Sequence, residues 1–300
     1  LMEQFLKFYR KYLLVVGGPY ASAILRELDV GGLAGAQGLK GPSPRAYRTS
    51  SDYGRDALAF SLIKKLRLPT SERARALTTL DDFWISEHQC RQTNDRIRHL
   101  TRCMSGRTTY SDSDLVWAQV LEAWRREIAA VLGRLPLRLE PSFSGGSTLS
   151  DRGKQTTIPD KLSSTPTIYP RGAAVWAHSV ASTVLDKHRP IQVRSNEYFT
   201  VPKDSTKERA CCMEASGSLM LQLAVGKLLK SRYKRRYRVD LARAKEIHME
   251  AARAASVSGA FATIDLSRAS DTIGRELIRA LLPPLWAELL ESLRATHTSV

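Results

Sequence analysis

The sequence predicts an α+β fold in which helices dominate the N-terminal 135 residues. Apolar residues recur at helical spacing in three segments of that region, at 53–68, 80–103 and 112–132. After Pro136 the chain becomes rich in Gly, Pro, Ser and Thr, which is typical of turns and short extended segments. Strands are predicted only beyond that point, so the segregation of helices and strands favours the α+β class.

The N-terminal region is predicted to open with one or two helices over residues 1–28, followed by a loop. Gly, Pro and Ser dominate residues 31–51, and these residue types favour turns over regular structure. The helix at 112–132 has acidic residues at its start. We therefore expect Asp112 or Asp114 to cap it by accepting a hydrogen bond from a free backbone N–H group.

The rest of the chain is predicted to contain both strands and helices. Residues 196–201 alternate in polarity like a strand, and residues 260–266 form a short apolar strand that contains an Asp. Helices are predicted at 173–185, 219–229, 271–282 and 285–294. Pro283 and Pro284 separate the last two helices, because proline interrupts helical hydrogen bonding.

The charge of the chain favours a polyanionic partner. The chain carries 46 Lys and Arg against 30 Asp and Glu, which gives a formal net charge of +16. Such a surface gains free energy from counterion release on binding phosphates, although an anionic membrane surface would account for the same charge. No apolar run approaches the roughly 20 residues that a transmembrane helix requires, so we expect no membrane span.

The cysteines are expected to be reduced thiols, because none is part of a CxxC pair. The four residues are Cys90, Cys103, Cys211 and Cys212. The first two lie near His88 and His99 in a charged, helical segment, so a zinc site is a formal alternative. The interpretation that we adopt is that these histidines and cysteines are scattered surface residues.

The segment at 261–271 is the most informative about chemistry. It has Asp265 at the end of an apolar strand and Asp271 six residues later, at the start of a predicted helix. Carboxylates fixed on a strand can hold the two divalent ions, about 4 Å apart, that phosphoryl transfer uses. An Asp at a strand end is also a common turn former, and Asp271 suits a helix N-cap. The spacing alone leaves both interpretations open.

A basic cluster, defined as residues 227–238, contains seven Lys and Arg, two Tyr and no acidic residue. On a helix, Lys227, Lys230 and Lys234 would share one face, and the tyrosines would be available to stack on bases. The candidate RNA-binding residues are Lys227, Lys230, Lys234, Arg235, Arg236 and Arg238. The alternative is a solvated helix end whose positive charges favour the helix C-terminus.

Several segments carry a family resemblance in a consistent order. Residues 262–273 are Ala-Thr-Ile-Asp-Leu-Ser-Arg-Ala-Ser-Asp-Thr-Ile, and residues 199–209 are Phe-Thr-Val-Pro-Lys-Asp-Ser-Thr-Lys-Glu-Arg. The first resembles palm motif A, and the second fingers motif F, of the RNA-dependent RNA polymerases of levivirus-type single-stranded RNA bacteriophages. Shorter segments at 146–148 and 157–164 are also similar to that family.

The resemblance implies roles for individual residues. Asp265 would be the catalytic ligand of Mg²⁺, aided by the carbonyl of Leu266, and Asp271 would sense the 2′-hydroxyl of the incoming nucleotide. The basic side chains of motif F would bind the nucleoside triphosphate, and they are Lys203, Lys207 and Arg209. The family commonly has a Lys where this chain has Thr206, so the match is looser at Lys207 than at the other two positions.

The resemblance also implies a domain order and an activity. A mainly helical N-terminal region at 1–135 is followed by a fingers-like region at 136–255 and by the start of a right-hand polymerase palm at 256–300. The implied activity is RNA-directed RNA polymerisation with Mg²⁺ in a two-metal site. The family's Gly-Asp-Asp motif does not occur in the sequence, so we expect an N-terminal part of the polymerase that is inactive by itself.

The implied partners are the RNA template and product, nucleoside triphosphates, and the host translation elongation factors Tu and Ts. The implied location is the cytoplasm of an infected bacterial host. The alternative function belongs to a different class, a non-catalytic basic RNA-binding protein in which the aspartates are structural. The basic cluster is compatible with both functions.

Overall fold

The computed structural model describes residues 2–66, 72–262, 264 and 266–300, and their fold is α+β. The helices are α1 (Met2–Val16), α2 (Gly18–Val30), α3 (Gly32–Gly38), α4 (Ser50–Lys64), α5 (Glu72–Met104), α6 (Asp112–Leu132), α7 (Ile158–Ser163), α8 (Ala173–Val180), α9 (Ser216–Tyr237), α10 (Ala244–Ser258), α11 (Arg275–Leu281) and α12 (Pro284–Leu293). The strands are β1 (Thr167–Ile168), β2 (Ile191–Gln192), β3 (Ser195–Pro202), β4 (Glu208–Met213) and β5 (His297–Ser299).

The fold consists of two compact units. The first contains Leu1–Asp82 and Thr200–Cys211, and the second contains Phe83–Phe199 and Cys212–Val300. The tip of the β3–β4 hairpin therefore belongs to the first unit, whereas the hairpin begins and ends in the second.

The three amphipathic helices predicted for the N-terminal region are confirmed. α4 and α6 match the described parts of 53–68 and 112–132 to within a few residues, and α5 contains the helix predicted at 80–103. α5 is longer than predicted, with 33 residues, because it begins at Glu72. Across the described residues, no helix is both long enough and apolar enough to cross a membrane.

The core of the first unit lies between α1, α2 and α4. Tyr9, Ile24 and Ile63 are fully buried there. The Tyr9 hydroxyl donates a hydrogen bond of 2.6 Å to the carbonyl oxygen of Ala59, which satisfies the polar atom of a buried ring. Burial raises the pKa of Tyr9 well above its usual value. α1 and α2 confirm the prediction of one or two helices over residues 1–28.

The loop predicted for residues 31–51 is wrong in part, because α3 lies within it. Ala36 is fully buried against the core of the first unit. The Gln37 side chain is also buried, and it donates hydrogen bonds to the carbonyl oxygens of Ile63, at 3.2 Å, and Leu66, at 2.6 Å. These tertiary contacts stabilise a helix that a Gly-rich segment does not favour by itself.

The predicted cap of α6 is confirmed only in part, because Asp114 takes part in it but the N-cap residue is Ser111. The Ser111 hydroxyl accepts a hydrogen bond from the backbone N–H of Asp114, and the Asp114 carboxylate accepts one of 3.0 Å from the N–H of Ser111. Asp112 is only the first residue of the helix. This reciprocal capping box satisfies two N–H groups that have no carbonyl partner within the helix.

The core of the second unit surrounds α9. Five side chains that are at most 3% exposed form its centre, and they are Ile168, Trp176, Met220, Leu221 and Trp286. α8, α9 and α12 confirm the helices predicted within 173–185, 219–229 and 285–294. α9 is longer than predicted, because it begins at Ser216 and continues to Tyr237.

The strands among the described residues form two small sheets. β1 and β2 pair in parallel, with Thr167 opposite Ile191. The other sheet has the strand order β4-β3-β5, in which β5 runs parallel to β3 with Ser195 opposite His297. β3 confirms the strand predicted at 196–201.

The start of α9 is built for close packing against β1. The hydroxyl of Ser216 accepts a hydrogen bond of 3.1 Å from the N–H of Thr167, which ties the strand to the helix. The next residue of α9 is Gly217, where an added Cβ would come within 2.7 Å of the Trp176 ring and 2.8 Å of Ile168 Cγ2. Only glycine leaves room for this contact.

The strand predicted at 260–266 is wrong for the residues that the structure describes there. These residues belong to no strand, and they are exposed, Phe261 by 68% and Ile264 by 83%. A strand needs a hydrogen-bonding neighbour, and no described strand pairs with this segment. Apolar composition alone was therefore an insufficient signal.

The helix predicted to begin at Asp271 begins instead at Arg275, as α11. Asp271 lies in the preceding turn and is not the N-cap, a position taken by Gly274. The cap comes from a distant residue, since Asn94 Oδ1 accepts a hydrogen bond of 2.9 Å from the N–H of Glu276. The purely structural interpretation of Asp271 as a helix cap is therefore wrong.

We predict that Gly217→Ala destabilises the chain by about 1–3 kcal/mol, because the new methyl group overpacks the core against Trp176 and Ile168. The measurement is the free energy of unfolding in urea. The matched control is Gly226→Ala on the same helix, where an added Cβ meets nothing within 4 Å. That variant should be neutral or up to about 1 kcal/mol more stable. Equal effects at the two glycines would contradict the packing argument.

Candidate functional site

The motif F-like residues lie on and beside the β3–β4 hairpin, within the first unit. Asp204 shapes the turn, because its Oδ1 atom accepts hydrogen bonds from the N–H groups of Thr206, at 2.8 Å, and Lys207, at 3.1 Å. Burial alone would raise the pKa of Asp204, but these hydrogen bonds hold it below its usual value. The turn therefore fixes the backbone from which the Lys207 side chain projects.

A buried ion pair anchors the start of β4. Arg75 Nε lies 3.0 Å from Glu208 Oε1, and both side chains are 3% exposed. The Thr79 hydroxyl accepts a hydrogen bond of 2.8 Å from the N–H of Glu208, so the strand is also held through its backbone. Adjacent residues of a strand point to opposite faces, and Arg209 is accordingly exposed. The buried glutamate thus determines which way the arginine points.

The three candidate cations differ in their surroundings. The Lys207 ammonium lies 3.4 Å from the Asp82 carboxylate and is 41% exposed. Lys203 and Arg209 are exposed, and the described part of the chain gives neither of them an acidic partner. Two free cations and one loosely paired cation on a single hairpin can bind the oxygens of a phosphate chain.

The motif A-like residues lie in the second unit, and one of them cannot be described. Asp265 lies outside the residues that the structure describes. Leu266 is 70% exposed, in a segment without regular structure. Asp271 is exposed, and its Oδ1 atom accepts a hydrogen bond of 3.0 Å from the Ser270 hydroxyl. Its carboxylate therefore keeps acceptor capacity for a ligand hydroxyl.

The basic cluster covers the end of α9 and the residue after it. Every candidate RNA-binding side chain is exposed. Lys234 pairs with Asp240 at 2.6 Å, and Arg236 pairs with Glu127 at 3.2 Å. No acidic partner is found, among the residues described, for the remaining candidates, which are Lys227, Lys230, Arg235 and Arg238.

The surface pairs of the basic cluster do not remove its positive field. Exposed ion pairs contribute only about 0–1 kcal/mol and exchange readily with a phosphate. Arg238 ends the helix with a φ of 59°, and its N–H bonds the carbonyl of Lys234, so the carbonyl end of α9 also lies at the cluster. Positive side chains there stabilise the helix C-terminus. The structural and RNA-binding interpretations are therefore compatible.

The aromatic residues of the basic cluster are partly engaged with other groups. The rings of Tyr233 and Tyr237 contact each other, with centroids 4.8 Å apart. The Tyr237 hydroxyl donates a hydrogen bond of 2.6 Å to Glu127, which raises the pKa of Tyr237. The seventh basic residue, Arg232, is half-buried and lies 5.1 Å above the ring of Trp286.

The sequence patterns do not reveal the role of Glu214, which follows the motif F-like segment. Its carboxylate accepts hydrogen bonds from the Tyr169 hydroxyl and from the amides of Asn196 and Gln222. Burial and the hydrogen bond to Glu214 together raise the pKa of Tyr169. These partners are 8 to 45 residues away in sequence, so local spacing carried no signal of the contact.

Comparison with known proteins identifies the family. The chain belongs to the family described as RNA replicase, beta-chain, whose model matches residues 23–300. The chain is 32% identical over 224 residues to the RNA-directed RNA polymerase subunit beta of Enterobacteria phage SP, with 72% of this chain and 37% of that protein covered. The resemblance to phage replicases is thereby confirmed.

Two further relatives are similar over different lengths. The subunit beta of Escherichia virus Qbeta is 28% identical over 259 residues, with 84% of this chain and 42% of that protein covered. The RNA-directed RNA polymerase beta chain of Enterobacteria phage GA is 37% identical over 128 residues, with 42% of this chain and 24% of that protein covered. The chain spans about two fifths of the length of the SP and Qbeta relatives.

We predict that Arg75→Met lowers the free energy of unfolding by about 3–5 kcal/mol, because it removes the cation that faces the buried Glu208 carboxylate. The double variant Arg75→Met/Glu208→Leu should recover most of this loss, since an apolar pair needs no charge compensation. Urea unfolding measures both values.

The matched control for the ion pair is Arg10→Met in the same unit. Arg10 pairs with Asp29 at the surface, and its side chain is 40% exposed. The expected loss there is below about 1 kcal/mol. A loss at Arg75 no larger than at Arg10 would show that the buried pair does not anchor β4.

Proposed function

We propose that this chain is the N-terminal part of a viral RNA-directed RNA polymerase that copies an RNA template with nucleoside triphosphates. The observation that carries the proposal is the family match over residues 23–300, which includes both motif-like segments, 199–209 and 262–273. The relatives named above are RNA-directed RNA polymerase subunits of phages. The exposed cations of the hairpin and of the basic cluster supply the charge that RNA and nucleotides require.

In this proposal the domain order is the one implied by the sequence. Residues 1–135 form the helical N-terminal region, residues 136–255 the fingers, and residues 256–300 the start of a right-hand palm. The β3–β4 hairpin within the proposed fingers supports this assignment, because it presents three basic side chains from a fixed turn.

Mg²⁺ fits the donor set proposed for the palm. Asp265 offers a carboxylate and Leu266 a main-chain carbonyl, which are hard oxygen ligands of the kind that Mg²⁺ prefers. The bound ions would activate the 3′-hydroxyl of the primer and neutralise the pyrophosphate leaving group. A Gly-Asp-Asp motif does not occur in these 300 residues, so in the proposal the second set of carboxylates comes from elsewhere in the polymerase.

The nucleotide would be held by residues of both motif-like segments. Lys203, Lys207 and Arg209 would neutralise the triphosphate, and the planar guanidinium of Arg209 can bind two phosphate oxygens at once. Asp271 would accept a hydrogen bond from the ribose 2′-hydroxyl. The exposure of Asp271 and the displacement of the helix cap to Gly274 support a role other than capping.

The partners and the location in the proposal follow from family membership. The chain would contact the RNA template and product through the basic cluster, and the host elongation factors Tu and Ts would be further subunits. The proposed location is the cytoplasm of an infected bacterium. The alternative is a non-catalytic RNA-binding protein, which would use the same cluster but no catalytic aspartate.

The proposal predicts that a polymerase containing this chain loses RNA synthesis when Asp265 is changed to Ala, because a metal ligand is removed. The measurement is incorporation of labelled ribonucleotides on an RNA template. Asp81→Ala, an acidic residue of α5 outside both motif-like segments, is the control and should retain activity. The 300-residue chain alone should incorporate nothing. Full activity of the Asp265 variant would favour the non-catalytic alternative.

The basic cluster should give RNA binding that depends on salt. The triple variant Lys227→Ala/Lys230→Ala/Arg235→Ala removes three cations that have no acidic partner in the described structure. The slope of log Kd against log salt should flatten by about 2 units, at about 0.7 per phosphate contact for single strands. A triple variant of the first unit with the same charge change, Lys11→Ala/Arg26→Ala/Lys40→Ala, is the control. Equal slopes in the two variants would mean that only net charge matters.

Asp271 should contribute to the choice of ribonucleotides over deoxyribonucleotides. In the complete polymerase, Asp271→Asn is expected to lower the ratio of kcat/KM for a ribonucleotide to that for its deoxy counterpart by about tenfold, or about 1.4 kcal/mol. Asp52→Asn, at a half-buried aspartate near the start of α4, is the control and should leave the ratio unchanged. A ratio within about twofold of the parent would exclude recognition of the ribose by Asp271.

A further inference from the structure

Three metal-ligating side chains meet near the end of α5 and the start of α6. The His99 imidazole, the Cys103 thiol and the Asp114 carboxylate each offer one ligand atom, and these atoms all lie within 4.8 Å of one another. Cys103 is 2% exposed and Asp114 is 3% exposed, whereas His99 is half-buried. The interpretation of the histidines and cysteines as scattered surface residues is therefore wrong for His99 and Cys103.

The zinc site that the sequence offers as an alternative, with His88, Cys90, His99 and Cys103, includes two residues that lie outside this cluster. The His88 ring contacts the Gln92 amide at 3.1 Å, and Cys90 donates a hydrogen bond to the main-chain carbonyl of Asp271. Neither residue is part of the cluster formed by His99 and Cys103. The third member is an aspartate from the next helix, which no cysteine and histidine spacing could indicate.

Two local features of the fold position these three side chains, namely the helical spacing of His99 and Cys103 and the capping box around Asp114. His99 and Cys103 are four residues apart on α5, so they lie on the same face of the helix. Asp114 is held by the capping box of α6, in which its Oδ2 atom accepts hydrogen bonds from the N–H and the hydroxyl of Ser111. Both features are independent of any bound ion.

Two of the three distances between these atoms match the edges of a tetrahedral zinc site. Zn–S bonds of about 2.3 Å and Zn–N or Zn–O bonds of about 2.0–2.1 Å give, at tetrahedral angles, separations of about 3.6 Å for S···N and about 3.3 Å for N···O. The observed separations are 3.6 Å between Cys103 Sγ and His99 Nε2, and 3.1 Å between His99 Nε2 and Asp114 Oδ2. The third separation, between the Cys103 and Asp114 ligand atoms, is within 4.8 Å, against about 3.6 Å in a tetrahedral site, so one ion contacts all three atoms once these two side chains approach each other.

The electrostatic surroundings suit a divalent cation held by two anionic ligands. Asp114 Oδ2 accepts hydrogen bonds from the N–H and the hydroxyl of Ser111, and these contacts favour the ionised carboxylate that a metal ion requires. The Arg96 guanidinium lies 2.7 Å from Asp114 Oδ1, but its geometry forms no hydrogen bond there. A thiolate and a carboxylate together neutralise a dication, so the repulsion from Arg96 is offset.

We propose that His99, Cys103 and Asp114 bind Zn²⁺ or a similar divalent transition-metal ion, which links the end of α5 to the start of α6. The fourth position of the tetrahedron is filled by water. Binding releases the proton of the Cys103 thiol to solvent, because only the thiolate coordinates, and His99 binds as the neutral tautomer protonated on Nδ1. The site is outside both motif-like segments and requires no polymerase activity.

Titration of the chelator-treated chain with Co²⁺, followed by displacement with Zn²⁺, tests the proposal. One equivalent of Co²⁺ should produce a thiolate-to-cobalt charge-transfer band and the visible bands of a tetrahedral ion, and Zn²⁺ should abolish both. About one proton per ion should be released. Absence of the charge-transfer band, or binding weaker than millimolar, would overturn the proposal.

Paired variants on the same helix identify the ligands. Cys103→Ser and His99→Gln should each weaken Zn²⁺ binding by at least about tenfold, whereas Cys90→Ser and His88→Gln should not change it. If circular dichroism shows that Cys103→Ser does not fold, the result for His99→Gln, a change at a half-buried position, determines whether the site exists. An unchanged affinity in His99→Gln, or an equal loss in Cys90→Ser, rules out this site.

Discussion

The carboxylate of Glu214 joins segments of the second unit that are far apart in sequence. It accepts hydrogen bonds of 2.7 Å from both the Tyr169 hydroxyl and the Asn196 amide, and one of 3.2 Å from the Gln222 amide. Gln222 also donates to the carbonyl of Leu293, at the end of α12. A partly buried carboxylate requires such donors to replace its lost water. Glu214 thus fixes β3, α9 and α12 relative to one another.

The two halves of α9 have different roles. Contacts with Glu214 hold the first half in the core, and the second half presents charged side chains to solvent. Met220 and Leu221 are buried in the core, whereas Lys227 and Lys230 are exposed. The close contact at Gly217 sets the distance of the helix from β1 and Trp176. A rigid, buried first half therefore projects a charged second half from the core, which favours a defined arrangement of cations over a flexible basic tail.

In the first unit, a buried ion pair orients the tip of the β3–β4 hairpin in a similar way. The ion pair between Arg75 and Glu208 contributes little net stability relative to apolar packing, because both charges lose their hydration. Its effect is to specify the orientation of β4, and hence the exposure of Arg209. In both units, polar contacts between distant residues position side chains that the proposed function needs.

The sequence by itself determined the α+β class, the long helices, β3 and the family, because periodicity and motif order are local properties of the chain. Only the tertiary structure decided the helix at Ala36, the exposure of Phe261 and the cap of α11 by Asn94. It also decided that Asp114 joins His99 and Cys103. Each of these features depends on partners distant in sequence or on another helix, whose proximity is fixed by packing and not by local residue preference.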